Sequence, residues 1–267
     1  MIAPRTLVVG SQDELTMDLV SPAITATTCD RVGNLDDALA HLRACVAGPE
    51  LIVLVQSRPG EFSPEAIDSL RRAAPLARID RLLGSWCEGE QRSDRTPSGC
   101  TASYWHQWHS REGRQSTATR AHRRAAWSMP ITTSADERLL AATDEAVVRG
   151  SGLIVICAAG RETAEALADA CRLGGYTICV VHDAGRFSVT GARAVLWDTS
   201  VDCAADGRRV RSLRQAAGGA PLLALLGFPR ADDVRQAYGA GVAAVISKPF
   251  LLRDLLWQLG ATVRHAE

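Results

Sequence analysis

The sequence predicts an α/β protein of two modules in tandem, each a doubly wound, five-stranded parallel sheet with helices on both faces. Three observations carry this reading. Residues 51–55 and 194–197 are short, unbroken apolar runs, the pattern of strands buried on both sides. Amphipathic segments with capping residues alternate with such runs. The alternation then occurs twice, on either side of a stretch rich in Ser, Thr and Arg, and 267 residues suit two modules of about 100 to 150.

In the first half, residues 6–9 form a β-branched strand, 12–19 a helix and 24–28 a second strand. Asn34 caps a helix through about residue 47, with Leu35, Ala38, Leu39 and Leu42 on one stripe and Gly48 and Pro49 as the stop. Strand 51–55 follows, and Ser63 with Pro64 opens a helix to about residue 74. Residues 79–83 are the fourth strand. After Gly84 the pattern loosens, and 104–108 is the expected fifth strand, with Tyr104, His106 and Trp108 on one face and Trp105 and Gln107 on the other.

Residues 110–133 lack periodicity and read as a linker. Ser134 and Glu137 have capping-box spacing and start a connecting helix that Gly150 ends. The expected organisation is therefore 1–109, a linker and connecting helix at 110–150, and a second module at 151–267.

The second half repeats the grammar more cleanly. Strands are expected at 153–156, 176–181, 194–197, 222–226 and 242–246, and helices at 162–173, 208–217, 231–238 and 251–259. Each half has a Gly-containing turn after its first strand, at Gly10 and Gly160, and a polar residue after its third, Gln56 and Asp198. An internal duplication accounts for both.

Composition removes several function classes. Thirty basic residues balance thirty acidic ones, so no general attraction to nucleic acid or anionic lipid is expected. No apolar run approaches the roughly 18 to 20 residues of a membrane span. The first apolar residues give way at once to Gly10, Ser11, Gln12, Asp13 and Glu14, which is too early for a signal-peptide core, and a cytoplasmic location follows. The eight Cys are spread through apolar segments and read as reduced thiols. The thirty basic residues include a single Lys, Lys248.

Val195, Leu196 and Trp197 run into Asp198, and Val245, Ile246 and Ser247 run into Lys248, Pro249 and Phe250. With these motifs, residues 152–260 resemble the receiver domain of two-component response regulators. The resemblance implies a flavodoxin-like (CheY-like) fold in each half. It also implies that Asp198 stands at the phosphoacceptor position and that Lys248 faces it, with a cis peptide before Pro249. Parallel strands bring their carboxyl ends to one edge, where two such side chains can meet.

Departures from that pattern shape the functional expectation. Receivers that accept a phosphoryl group hold Mg²⁺ with an acidic pair after strand one, a role for hard carboxylate oxygens. Cys157, Ala158 and Ala159 stand there, and Leu225, Leu226, Gly227 and Phe228 occupy the place of the usual Ser or Thr. In the first half Gln56 falls at the acceptor position, and glutamine cannot form an acylphosphate. The expected protein is thus a non-enzymatic tandem of pseudo-receiver domains that binds other signalling proteins, with no cofactor, Mg²⁺ entering only if Asp198 accepts phosphate. The alternatives are a phosphorelay response regulator phosphorylated at Asp198 and a small-molecule-binding α/β protein.

Residues 86–109 concentrate aromatic and metal-binding types. Trp86, Arg92, Tyr104, Trp105 and Trp108 are candidates for partner binding, because Trp, Tyr and Arg dominate interface centres. The competing reading is a loop pinned to its own module, with Trp105 or Trp108 packed inside and Trp86 nearer the surface. A zinc site from Cys87, Cys100, His106 and His109 fits no usual spacing.

Overall fold

The computed structural model describes residues 5–10, 28–90, 100–120, 149–182 and 187–265, with short pieces between 129 and 140. The chain divides into two compact units, Met1–Glu145 and Ala146–Glu267.

The first unit contains β1 (Arg5–Val9), β2 (Thr28–Val32), α1 (Leu35–Ala44), β3 (Leu51–Gln56), α2 (Pro64–Ala73), β4 (Arg78–Leu83), β5 (Cys100–Tyr104) and α3 (Trp105–Arg120). Its sheet has the order β2-β1-β3-β4-β5, and every pairing is parallel. All six residues of β3 are buried, and this strand lies at the centre. The Asn34 side chain accepts from the Asp37 N–H at 2.9 Å, and Ser63 caps α2 through the Ala66 N–H at 3.2 Å. Leu7, Val9, Ile52, Leu54 and Ile79 pack under Ala38, Leu42, Ile67 and Leu70 of α1 and α2.

The second unit contains β6 (Leu153–Cys157), α4 (Arg161–Leu173), β7 (Thr177–Val181), β8 (Ala192–Asp198), α5 (Val201–Ala205), α6 (Gly207–Ala216), β9 (Leu222–Gly227), α7 (Ala231–Ala240), β10 (Ala244–Lys248) and α8 (Leu252–His265). Its order is β7-β6-β8-β9-β10, again all parallel, with β8 central. One face, with Ile154, Ile156, Leu196 and Ile246, packs against α4 and α8. The other, with Val155, Val195, Trp197 and Ala224, packs against α6 and α7. Both sheets thus have the flavodoxin-like order, second-first-third-fourth-fifth.

Four sequence expectations change. The fifth strand ends at Tyr104, and Trp105 opens a helix. Among its residues 105–115 the buried ones are Trp105, Trp108 and Glu112, a spacing of three and four that is helical, so the strand-like alternation of Tyr104, His106 and Trp108 does not describe the faces. Residues 110–120, expected in the linker, continue that helix. The second strand is Thr28–Val32, set by its pairing of Arg5 with Thr28. The short helix α5 had no counterpart in the expected pattern. The helix expected at 12–19 and most of the connecting helix lie outside the described residues, although Ser134 and Glu137 do form a reciprocal capping box.

Gly10 leaves β1 with φ +124°, and a Cβ there would lie 2.4 Å from the Val55 carbonyl oxygen. Both the backbone conformation and the contact exclude a larger residue. Gly10→Ala is expected to cost about 2 kcal/mol or more in urea denaturation.

Candidate functional site

In the second unit, Asp198 ends β8 and Lys248 ends β10, with β9 between them. Lys248 Nζ donates to Asp198 Oδ1 at 2.6 Å, and the Lys248–Pro249 peptide is cis. The two side chains are 37% and 19% exposed, so solvent screens their attraction, and the pair contributes at most about 1 kcal/mol. It therefore marks a site more than it holds the fold.

The neighbouring strand ends supply little further chemistry. Cys157 ends β6 and Ala158 follows it, both buried, and the His182 Nδ1–H donates to the Ala158 carbonyl at 3.1 Å. Lys248 pairs in register with Gly227, where a Cβ would meet open space. Among the described residues, no group of three His, Cys, Asp or Glu side chains could hold a metal ion.

The two sheets can be superposed by their registers. Gly10 N–H bonds to Val32 and Ala158 N–H to Val181, so Gly10 corresponds to Ala158 and Val9 to Cys157. Val9 pairs with Leu54, and Cys157 with Trp197. The residue equivalent to Asp198 is consequently Val55, not Gln56. By the same reckoning Leu83 pairs with Tyr104, and Trp105, one residue further, takes the place of Lys248. The expectation for Gln56 was off by one position, which in a strand is the difference between the two faces of the sheet.

Gln56 instead belongs to a buried polar cluster under the segment that follows β4. Arg81 Nε and Nη2 donate to Gln56 Oε1 at 3.0 and 2.9 Å. The Gln56 amide nitrogen donates to both Glu90 carboxylate oxygens, at 2.9 and 2.7 Å, and Arg81 is ion-paired with Glu90. On the opposite face of β4, Arg78 is ion-paired with Asp80 and lies 3.6 Å from Glu112 of α3. Neither cluster was anticipated. The signal was present, since Arg78, Asp80 and Arg81 interrupt a strand that pairs on both sides.

Of the partner-binding candidates, Trp86 is 82% exposed on a short 3₁₀ turn, Ser85–Cys87. Trp105 and Trp108 are buried, at 3% and 1%. The Tyr104 hydroxyl accepts from the Gly89 N–H at 3.0 Å, and Arg92 lies outside the described residues. The Cys87 thiol is pushed up to about 12, by burial first and then by the Glu90 carboxylate, so it is held neutral. His106 stacks on Tyr104 with ring centroids 5.6 Å apart. Burial, and then the Arg111 charge, lower its pKa to about 4.

No family description matches this sequence, and no curated protein matches it either. Solved structures with a similar fold include a response regulator from Thermotoga maritima, at 17% identity over 43% of this chain and 99% of that one, with a TM-score of 0.36. A CheY-like response regulator receiver domain protein from Methanospirillum hungatei has 16% identity over 43% and 96%, with a TM-score of 0.35. The Escherichia coli RcsC C-terminus, containing a linker region and a phosphoreceiver domain, has 11% identity over 98% and 93%, with a TM-score of 0.33. The fold class rests on the strand order of the two sheets. Among the described residues, no helix is long and apolar enough to cross a membrane.

Burial separates the three tryptophans. Trp105→Ala and Trp108→Ala are each expected to cost about 3 to 5 kcal/mol in urea denaturation, and Trp86→Ala less than about 0.5. His106 gives a pH signature. The unfolded chain binds a proton at this ring below pH 6.5, whereas the folded chain does so only near pH 4. Stability from the neutral ring is therefore complete above pH 6.5 and declines as pH falls toward 4, and His106→Asn should flatten that part of the stability profile.

Proposed function

We propose that this chain is a signalling protein of two degenerate receiver-like units that acts by binding other signalling proteins in the cytoplasm, without phosphoryl chemistry of its own. The observation that carries the reading is the acceptor edge of the second unit. Asp198 and Lys248 face each other there at 2.6 Å, yet Cys157, Ala158 and Gly227 occupy the neighbouring strand ends. An Mg²⁺ ion assisting phosphoryl transfer needs several hard oxygen ligands and a way to neutralise the equatorial oxygens. Among the described residues that edge offers one carboxylate and one ammonium, which do not provide them.

The first unit supports the same reading more strongly, because Val55 and Trp105 replace the carboxylate and the ammonium. An aliphatic residue and an indole offer no nucleophile and no charge. Trp86, exposed on the turn after β4, is the feature best suited to a partner, since a large aromatic in water gains most by being covered.

The test is incubation of the full chain with a small phosphodonor and Mg²⁺, followed by intact mass measurement. No mass gain is expected in the wild type. A gain of one phosphoryl group that disappears in Asp198→Asn would establish a working acceptor and defeat the proposal. Gly227→Ser, which has room for its side chain, is expected to leave stability within about 1 kcal/mol and to confer no phosphorylation alone.

A further inference from the structure

Glu90 is held by donors from two side chains that belong to neighbouring strands. Gln56, at the end of β3, turns its amide oxygen to Arg81 of β4, where it accepts from both Nε and Nη2. That orientation aims the amide nitrogen at Glu90, 2.9 and 2.7 Å from its two oxygens, while Arg81 Nη2 pairs with the same carboxylate. A planar guanidinium and an amide fixed by it form a recognition surface suited to a planar oxyanion. The place is dry: Gln56 is fully buried, and the Arg81 and Glu90 side chains are 4% and 7% exposed. The second unit has Ala224 and Thr199 at the positions equivalent to Arg81 and Gln56, so the receptor is particular to the first unit.

The carboxylate, by contrast, comes from outside the sheet. Glu90 lies on the segment that leaves β4 through Gly84, whose N–H donates to the Gln56 carbonyl at 2.8 Å, and that carries Trp86. Receptor and ligand therefore sit on different elements, and truncating Glu90 removes the carboxylate that Arg81 and Gln56 hold while leaving both strands unaltered in sequence.

We propose that Arg81 and Gln56 are an oxyanion-binding site of the first unit, with Glu90 as its intramolecular ligand, and that this attachment latches residues 84–90 onto the sheet. The class of ligand is a carboxylate, or a phosphate presenting the same two oxygens. Arg81 Nη2 and the Gln56 amide nitrogen both lose this acceptor in a Glu90 variant, so an external oxyanion should take its place.

The test uses the full chain carrying Glu90→Ala and follows amide hydrogen exchange of the peptide spanning 84–90. Exchange there is expected to rise roughly tenfold or more over wild type. At about 0.5 M, sodium acetate should reverse most of that rise, while sodium chloride at matched ionic strength should not. Sodium phosphate distinguishes the ligand class. Reversal by acetate alone indicates a carboxylate site, and reversal by phosphate as well indicates a general oxyanion site; either supports the proposal. The double variant Arg81→Met, Glu90→Ala should not respond to either anion. Failure of both anions to exceed chloride, or an equal response in the double variant, overturns the proposal. Should Glu90→Ala not fold, Glu90→Gln keeps the shape and removes the charge. Faster exchange at 84–90 is expected in it, and exchange equal to wild type would overturn the latch.

Discussion

The pairing of the first strand with the third governs everything at the carboxyl edge of each sheet. Side chains alternate across a strand, so register decides both which residue reaches the edge and which face it joins. In the second unit Cys157 pairs with Trp197, and Asp198 emerges next, on the face covered by α4 and α8. In the first unit Val9 pairs with Leu54, and the corresponding place falls to Val55. Gln56 then turns to the other face, where Arg81 is waiting. One step of register thus separates an edge that can bear an ion pair from one that cannot.

The ion pair itself spans a strand. Lys248 stands beside Gly227, and Asp198 beside Leu225, so their contact runs diagonally across the end of β9. A Cβ at Gly227 would meet open space, so the glycine is not what makes room for the pair. A compact ammonium on a flexible stem can make that reach, which fits the one Lys of an otherwise Arg-using chain. Cys157 and Ala158 bring no second charge, and Lys248 alone balances Asp198 among the described neighbours.

Much of this was legible in the sequence because it is written in local chemistry. Aliphatic runs at β3, β8 and β9, and side-chain caps at Asn34 and Ser63, specify their elements without reference to partners. The Asp198 and Lys248 positions were legible through the resemblance to receiver domains, which implies a carboxylate and a Lys-Pro pair at two strand ends. What failed depended on pairing or on context. The Trp105 segment alternates like a strand, but burial of Trp105, Trp108 and Glu112 on one helical face prevails. The assignment of Gln56 required counting from a partner strand. The clusters on β4 required knowing which distant residues would answer Arg78, Asp80 and Arg81.

The fourth strands of the two units differ in polarity. In the second, β9 reads Leu-Leu-Ala-Leu-Leu-Gly, and the ten-residue helix α7 follows it with Val234 and Ala237 buried. In the first, β4 reads Arg-Ile-Asp-Arg-Leu-Leu, and a three-residue 3₁₀ turn follows. Apolar strand faces reward any apolar helix that covers them, whereas buried charges reward only groups placed to hydrogen-bond them. Arg81 selects Gln56 and Glu90 on one face, and Arg78 with Asp80 brings Glu112 of α3 close on the other. Such contacts add little net stability over apolar packing, since desolvation offsets most of the attraction. They do fix position, because a misplaced partner leaves a buried charge exposed to no solvent and no counter-ion. In the first unit the described segment 84–90 is accordingly tied to the sheet by polar contacts of Glu90, and Trp86 is the apolar side chain that it holds out to water.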